Sequence, residues 1–320
     1  MSQSGNQDHS APPALDEFAL IRRFFADRCQ RSETVVLGPG DDAAIVRPPL
    51  DRQLVMTQDT SLAGRHFPND LPAFDIGYRC LAVNLSDLAA MGADPLWCLL
   101  SLTLPKVDEA WLLGFSDGLF SLAEESGIQL VGGDISRGEL AVSIHATGSV
   151  RPGEALCRSG ARRAERICLG GVPGEAMLGL QQWQAGARQG AAIDRFARPA
   201  PQLALGQQLR GLASSCIDVS DGVLADLNHI LTASGGLGAT LQAEAFPANQ
   251  GLFAALTAEA ALQLQLQGGD DYLLLFTLPD NAPLPGNCLE IGRIDAEPGI
   301  RLQQADGNRV DLQVKGWKHF

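Results

Sequence analysis

Residues 83–95 have the sequence VNLSDLAAMGADP and form the end of a predicted helix. Upstream of this stretch, residues 76–85 leave the helix almost no polar face, which is typical of a helix that is buried on all sides. Gly92 is suited to the position just after a helix end, and Pro95 prevents continuation. Asp87 lies near this end, where the helix dipole disfavours a negative charge.

Two interpretations of Asp87 follow from this position. A carboxylate in a buried helix costs several kcal/mol unless a cation or a hydrogen-bond network meets it. Asp87 is then either a capping or network residue inside a core, or a metal ligand. The chain offers few cationic side chains to meet the charge, which favours the metal ligand.

Composition limits the class of protein. The 320 residues are enough for one large or two medium domains, and 45% of them are hydrophobic. A net charge of −13 argues against nucleic acid or an anionic membrane as a partner. The lysines are only Lys106, Lys315 and Lys318, so bound phosphates would have to be met by glycine amides, arginines and divalent cations.

Neither a targeting segment nor a disulfide framework is indicated. Residues 1–15 lack the basic start and apolar core of a signal peptide and are predicted to be a disordered lead-in. No apolar run is long enough for a transmembrane helix. The seven cysteines are scattered and form no CxxC pair, which indicates buried thiols in a reducing compartment. The expected location is the cytoplasm.

The order of predicted elements indicates an α+β domain at residues 16–150 and an α/β domain at residues 151–320. In the first domain, a strand at 54–57 is expected to end at Asp59, and a strand at 128–131 is expected to open into a turn at Asp134. In the second domain, an Arg-rich connector precedes the strands, and helices are predicted at 174–184, 201–213 and 222–233. The sequence has no short-period repeat, which excludes a solenoid or a propeller.

Acidic turns recur after the predicted strands. Such folds place ligands at strand ends, because side chains converge there on a rigid scaffold. A single Gly-Asp pair is a common turn, but several at strand ends favour Mg²⁺ or Mn²⁺ bound together with substrate phosphates. The turns are Gly40-Asp41-Asp42, Gln58-Asp59, Gly132-Gly133-Asp134, Asp218-Val219-Ser220-Asp221-Gly222 and Gly268-Gly269-Asp270-Asp271.

Common nucleotide-binding motifs are absent from the sequence. There is no P-loop, no GxGxxG after a strand, and no protein-kinase set of VAIK, HRD and DFG. An acidic cleft repels ATP by itself, but several metal ions that bridge carboxylate and phosphate reverse this repulsion.

Motifs from about residue 16 to the C-terminus resemble the thiamine-monophosphate kinase family. NLSDLAAMGA and DVSDG mark a wider superfamily that includes aminoimidazole ribonucleotide synthetase, and the elements GRHF, GGDDY and GWKHF narrow the resemblance. The chain has GGDDY where relatives usually have GGEDY, and Gln58 where a hydroxyl or small residue is usual. Neither departure removes a carboxylate.

The resemblance implies an activity and an assembly. Enzymes of this family transfer the γ-phosphoryl group of ATP to thiamine monophosphate, and the transfer is expected to be metal-assisted, with several Mg²⁺ ions and no residue acting as acid or base. Residues 16–150 would form a Mg/ATP-binding and dimerisation domain, whose sheets join into a shared barrel in a homodimer. Residues 151–320 would form an α/β sandwich that closes the active site.

The resemblance also implies roles for individual residues. Six carboxylates become metal ligands, and two neighbours of one of them add oxygen ligands. The metal set is Asp42, Thr57, Gln58, Asp59, Asp87, Asp134, Asp218 and Asp221; the ATP contacts are Gly133, Asp134, Arg158 and Ser220; the substrate contacts are His66, Asp270, Trp317 and Phe320.

Other interpretations stay open. His66 could be a loop histidine satisfied by backbone, Arg158 could pair with Glu154, and the aromatic tail could pack on the final hairpin. Asp41 and Asp271 are expected to be structural or to support the neighbouring ligands at positions 42 and 270. The whole chain could instead be a different ATP-dependent enzyme of the superfamily, or a non-enzymatic module that binds Mg-nucleotide or thiamine phosphate. The GRHF and GWKHF elements speak against the first, and the retention of all six carboxylates speaks against the second.

Overall fold

A computed structural model describes residues 17–29, 32–247 and 251–313 of the chain. The lead-in at 1–15 and the tail residues Trp317 and Phe320 lie outside the described residues. Within the described ranges, no helix combines the length and the apolar character that crossing a membrane requires.

A four-stranded sheet and two long helices make up most of the first half of the chain. A short antiparallel pair, β1 with β2, precedes the sheet. In chain order the elements are α1 (Glu17–Phe24), β1 (Val35–Leu37), β2 (Ile45–Val46), β3 (Gln53–Leu62), α2 (Ala73–Ala90), β4 (Asp94–Leu104), α3 (Glu109–Ser126), β5 (Gln129–Arg137) and β6 (Ala141–Val150).

The strands of this sheet lie in the order β3-β6-β4-β5. β6 pairs antiparallel with β3 and β4, and β5 runs parallel to β4. Burial alternates along β3 and β4, because successive side chains point to opposite faces of a sheet. One face packs against α2, and exposed side chains such as Met56 and Leu99 belong to the alternating exposed positions.

The central helix α2 is buried along almost its whole length, as its apolar sequence predicts. From Ile76 to Ala90, only Tyr78 and Asp87 are less than fully buried. The helix stops at Ala90, and Gly92 follows with a φ of 64°, a left-handed conformation that glycine adopts without strain.

α2 and α3 approach each other so closely that glycine is required at their contact. A Cβ on Gly118 would lie 1.9 Å from the carbonyl oxygen of Phe74, and a Cβ on Gly77 would lie 2.0 Å from that of Phe115. No side chain fits into such a gap in a close-packed interior. The helix that carries Asp87 is therefore held firmly against α3.

A seven-stranded sheet with helices around it makes up the second half. Its strands lie in the order β13-β12-β9-β11-β7-β10-β8. All neighbouring pairs are antiparallel except β9 with β12. The elements are β7 (Arg166–Leu169), α4 (Glu175–Gln184), α5 (Ala191–Ala197), α6 (Leu203–Leu209), β8 (Ser215–Asp218), α7 (Val223–Ala233), β9 (Gly238–Gln242), α8 (Ala258–Gln267), β10 (Leu274–Leu278), β11 (Leu289–Asp295), β12 (Gly299–Gln303) and β13 (Arg309–Asp311).

α2 also packs against α6 and β8 of the second half. A Cβ on Gly206 of α6 would lie 2.1 Å from the carbonyl oxygen of Ala89, so the two helices touch through their backbones. Beside this contact, Arg210 donates to the carbonyl of Gly92 at 2.5 Å and to Asp94 at 2.6 Å. One helix thus belongs to the core of both halves.

The predicted class, a mixture of helices and mixed sheets in two halves, is confirmed. Two strand ends are predicted wrongly. β3 continues to Leu62 and β5 to Arg137, so Asp59 and Asp134 lie within strands rather than in turns after them. The ladder uses only backbone N–H and C=O groups, so pairing with β6 and β4 continues past acidic side chains.

One predicted helix has the wrong length, and two helices are not predicted. The helix predicted at 201–213 is wrong in length, because α6 covers only Leu203–Leu209. The sequence does not predict α5 or α8. Within α8, LQLQLQ alternates apolar and polar residues, a pattern typical of a strand, and tertiary packing overrides it.

Candidate active site

A cleft of about 1050 Å³ is lined by β3, α2, the loop before α2 and the loops that follow β8 and α8. Residues from both halves of the chain meet in it. The predicted site residues that line it are Asp59, His66, Asp87, Arg158, Asp218, Ser220, Asp221 and Asp270.

Asp59 and Asp87 are neighbouring carboxylates in this cleft. The Thr57 hydroxyl donates to Oδ2 of Asp87 at 2.5 Å, and the main-chain N–H of Asp59 donates to Oδ1 of Asn84 at 3.1 Å. These bonds tie β3 to α2 beside the pair. Burial, followed by the charge of Asp87, raises the pKa of Asp59 to about 6. Burial likewise raises the pKa of Asp87, against the opposing hydrogen bond from Thr57.

Asp218 adds a third carboxylate from the end of β8. Its Oδ2 accepts the hydroxyl of Ser86, on α2, at 2.7 Å. Burial, together with the charges of Asp87 and Asp59, raises the pKa of Asp218 to about 7. A hydrogen-bond network therefore does surround Asp87, but the network is itself acidic. Three carboxylates with raised pKa values thus lie in one cleft. A divalent cation bound there would stabilise their ionised forms.

The loop after β8 is held by Asp226, a residue that the sequence does not single out. The main-chain N–H groups of Ser220 and Asp221 both donate to Oδ2 of Asp226 at 3.0 Å. Burial raises the pKa of Asp226 to about 7. Ligand atoms of Asp221, Asp226 and His229 lie within 4.8 Å of one another. An acidic residue in the first turn of α7, just after the SDG turn, is the signal that indicates this role.

Arg158 lies in the connector between β6 and β7 and lines the cleft. The carbonyl of the adjacent Cys157 accepts a backbone N–H from β8 at 2.8 Å, which places the connector along that strand. Burial raises the pKa of Asp87, and the positive charge of Arg158 acts in the opposite direction. Glu154, the alternative partner of Arg158, lies 3.7 Å from Arg151 instead.

The loop between β3 and α2 carries His66 and is attached to α4. Nδ1 of His66 accepts the N–H of Leu62 at 2.9 Å, so a neutral ring carries its proton on Nε2. Asp70 accepts the indole N–H of Trp183 at 3.0 Å and the guanidinium of Arg188 at 2.7 Å. These contacts hold one rim of the cleft in place.

Arg79 is a buried cation of α2 that the sequence-based interpretation misses. It pairs with Asp270, donates to the carbonyl of Phe196 at 2.6 Å and lies 4.5 Å from the centre of the Phe196 ring. Burial is the largest single effect and lowers the pKa of Arg79, but the charge of Asp270, the nearby Tyr272 and the hydrogen bond to Asp270 act together in the opposite direction, so the pKa is raised. One cation inside an apolar helical stretch is the signal that could identify it, because such a charge needs a partner.

Asp271 holds the start of a helix, which agrees with the prediction of a structural or supporting role. Asp271 accepts the N–H of Gly174 at 2.5 Å and that of Ala176 at 3.1 Å, so it satisfies the start of α4. Burial raises the pKa of Asp271 to about 7 in spite of these two bonds. Asp41 accepts the N–H of Asp42 at 2.8 Å within its own turn.

Four predicted site residues lie away from the cleft. Asp42, Gly133 and Asp134 line a second cavity of about 780 Å³, which also contacts α1 and β4. Gln58 lies between Thr57 and Asp59 on β3, so its side chain points to the opposite, exposed face of the sheet. Within one chain, the structure does not bring these four residues together with the cleft carboxylates. Their roles stay predictions.

Comparisons with known proteins identify the family. Residues 40–150 match the family model described as AIR synthase related protein, N-terminal domain. The thiamine-monophosphate kinase of Escherichia coli strain K12 is 42% identical over 325 residues, which cover 96% of this chain and 99% of that protein. The chain belongs to the thiamine-monophosphate kinase family. The resemblance seen in the sequence is therefore confirmed, and the chain is an enzyme of the kinase class.

Solved structures of thiamine-monophosphate kinases share this fold. The crystal structure from Stenotrophomonas maltophilia K279a is 40% identical with a TM-score of 0.79, covering 90% of this chain and 95% of that one. The structure of AaThiL complexed with AMPPCP and TMP is 29% identical with a TM-score of 0.77, covering 90% of this chain and 93% of that one.

Proposed function

We propose that this enzyme transfers the γ-phosphoryl group of ATP to thiamine monophosphate, giving thiamine diphosphate and ADP. The proposal depends on one observation: Asp59, Asp87 and Asp218 cluster in a cleft that is lined by both halves of the chain. The chain also belongs to the family that is named for this reaction. A relative of the same fold has been solved with both AMPPCP, an ATP analogue, and TMP, which supports ATP and thiamine monophosphate as the two substrates.

The donor atoms of the cleft fit Mg²⁺. The clustered side chains offer only oxygen, which is the ligand that Mg²⁺ prefers. The pKa of Asp59 is raised to about 6 and that of Asp218 to about 7, so their ionised forms need a positive partner. Asp59, Asp87, Asp218 and Asp221 would hold several metal ions there. When bound, such ions would neutralise phosphate charge and orient the transferred group.

Residues around the carboxylates would bind the phosphates. Arg158 supplies a positive charge beside Asp87, and Ser220 supplies a hydroxyl on a loop whose main chain is held by Asp226. His66, on the loop before α2, would contact thiamine monophosphate. These groups bind and align the substrates, and alignment is the larger part of catalysis in phosphoryl transfer.

The acceptor needs no general base. A phosphate monoester has a second pKa of about 6, so near neutral pH its oxygen is already ionised. That oxygen forms a bond to the γ-phosphorus while the bond from the γ-phosphorus to its bridging oxygen breaks, and ADP leaves with the electron pair. Every carboxylate assigned to the cleft is committed to metal or substrate, and none is left as a base.

We also propose the assembly that the family resemblance implies. Residues 16–150 would bind Mg and ATP and form the homodimer, and residues 151–320 would cover the site. Asp42, Gly133 and Asp134 are assigned to metal and nucleotide from the second cavity. Gln58, Trp317 and Phe320 keep the metal and substrate roles that the motifs imply.

Mass-detected conversion of thiamine monophosphate by the purified chain tests the proposal. With ATP and excess Mg²⁺, we expect one thiamine diphosphate for each ADP formed, and Asp218→Asn is expected to abolish both products together. ADP release without thiamine diphosphate would point to another acceptor, and binding of both ligands without turnover would contradict the proposed reaction.

A further inference from the structure

Arg79 connects three segments that all line the cleft. It lies on α2, donates to the carbonyl of Phe196 at the end of α5, and pairs with Asp270 in the loop after α8. Its guanidinium lies over the rings of Phe196 and Tyr272, 4.5 Å and 5.7 Å from their centres. The side chain of Arg79 is only 3% exposed, whereas that of Asp270 is 27% exposed. The cation is therefore internal, and its partner is the group that reaches the cleft.

In the part of the chain that the structure describes, only one of the two carboxylate oxygens of Asp270 accepts hydrogen bonds from other side chains. The Arg79 guanidinium and the Tyr272 hydroxyl, which is 3.2 Å away, both donate to Oδ1. Among the described residues, Oδ2 receives no hydrogen bond from the protein. An ionised carboxylate accepts on both oxygens, so Oδ2 is the atom available to a ligand.

The backbone around Asp270 is also held in a defined conformation. Asp270 and Tyr272 have φ values of 67° and 52°, in the left-handed region that side chains rarely adopt. The N–H of Asp270 donates to the carbonyl of Ser220 at 2.9 Å, and that of Tyr272 donates to the carbonyl of Val219 at 2.8 Å. The loop of Asp270 is thereby bonded directly to the loop proposed to meet the ATP phosphates.

We propose that Arg79 is a positioning residue for the acceptor substrate. Acting through Asp270, it fixes the carboxylate oxygen that accepts an N–H from the aminopyrimidine of thiamine monophosphate. This inference rests on the proposed function, because it concerns the same cleft. The cleft that Asp270 lines also has apolar and aromatic side chains in its wall, such as Met177 and Trp183, which suit an aromatic heterocycle.

Steady-state kinetics with both substrates tests the role of Arg79. Loss of a charged hydrogen bond that positions the recognition group should raise the KM for thiamine monophosphate about ten- to a hundredfold in Arg79→Met. The KM for ATP should change by less than about twofold, because the bonds between the Asp270 loop and the Ser220 loop are backbone bonds that the substitution leaves in place. Arg79→Lys keeps the charge but not the two-pronged contact, and it should recover part of the loss.

A double-mutant cycle separates action through Asp270 from a general structural effect. If Arg79 acts through Asp270, the variant Arg79→Met with Asp270→Asn should have the same KM for thiamine monophosphate as Asp270→Asn alone. The inference is overturned if the two effects multiply, or if Arg79→Met raises both KM values equally. The matched control is Arg198→Met, whose guanidinium pairs with Asp75 and Asp194 and does not line the cleft, and it should leave both KM values unchanged.

A second variant and the activity of the unaltered enzyme complete the test. If thermal unfolding shows that Arg79→Met does not fold, Tyr272→Phe removes only the second hydrogen bond to Oδ1 of Asp270. It should raise the KM for thiamine monophosphate severalfold, and an unchanged KM would overturn the inference. Failure of the unaltered enzyme to convert thiamine monophosphate would instead refute the proposed function, so the two failures are distinguishable.

Discussion

Asp87 occupies a position where neither its helix nor its surroundings favour a negative charge. It lies near the C-terminal end of α2, and the helix dipole there opposes ionisation. Burial raises its pKa, and the Thr57 hydroxyl and the charge of Arg158 offset only part of that effect. A residue that costs stability in the free protein is expected to serve a ligand, and we propose a metal ion as that ligand.

Replacing Asp87 by asparagine should separate activity from folding. The amide keeps the shape and can still accept the Thr57 hydroxyl, but it removes a charge that the proposed metal ion would require. We expect turnover to fall by about a hundredfold or more, while the melting temperature without Mg²⁺ stays equal or rises. Asp117→Asn, which removes a surface partner of Arg28, should change neither. Near-normal turnover of Asp87→Asn at moderate Mg²⁺ would refute the metal assignment.

Asp271 should make stability depend on pH in a defined direction. Its pKa is raised to about 7 in the folded chain, against about 3.9 in an unfolded one. The folded state therefore retains a proton that the unfolded state loses, and the stabilisation present below about pH 4 disappears as the pH rises through about 7. Between about pH 5 and pH 8 without Mg²⁺, the free energy of unfolding should decrease less steeply in Asp271→Asn than in the unaltered protein.

Chemical denaturation at several pH values measures this difference. The asparagine variant also loses one of the two bonds to the start of α4, at a pH-independent cost of about 1 kcal/mol. Asp280→Asn is the matched control, because its pKa is lowered by Arg293 and it titrates outside this range. If unaltered protein and Asp271→Asn differ by the same amount at every pH, Asp271 does not hold its proton in the folded state.

For helices, strands and loops, the sequence correctly predicts the features that depend on local residue patterns. The burial of α2, its end before Gly92 and the loop after β8 all follow from residues close together in the chain. The end of β3 does not, because a strand continues for as long as a distant partner pairs with it. The partner of Arg79 is 191 residues away, so no local pattern could show that Asp270 neutralises it.

The contact between α2 and α6 gives a prediction at this level. Gly206→Ala would place a Cβ 2.1 Å from the carbonyl oxygen of Ala89, so the helices would have to separate. We expect a loss of about 1–3 kcal/mol in the free energy of unfolding, measured by denaturant titration. Gly286→Ala is the control, because its Cβ would meet nothing within 4 Å, and it should be neutral. Equal stability of the two variants would show that the helices are not in backbone contact.

For the whole molecule, the site is a product of how the two halves meet. α2 contributes Asp87 and Arg79, β3 contributes Asp59, and the second half contributes Asp218 and Asp270. The sequence identifies these acids as candidate site residues, since each belongs to a recognisable motif. It does not show which of them share a cleft. Asp42 and Asp134 illustrate this, because they line a different cavity of the same chain.

Labelled ATP, offered in parallel with thiamine monophosphate and with free thiamine, tests whether phosphoryl transfer in this cleft proceeds without a general base. An alcohol must lose a proton during attack and needs a base, whereas a phosphate monoester is already ionised and needs only alignment and charge neutralisation. The predicted result is label in thiamine diphosphate, essentially none in products of free thiamine, and none on the protein. Comparable labelling of free thiamine, or label that stays on the protein, would contradict direct transfer in a cleft without a base.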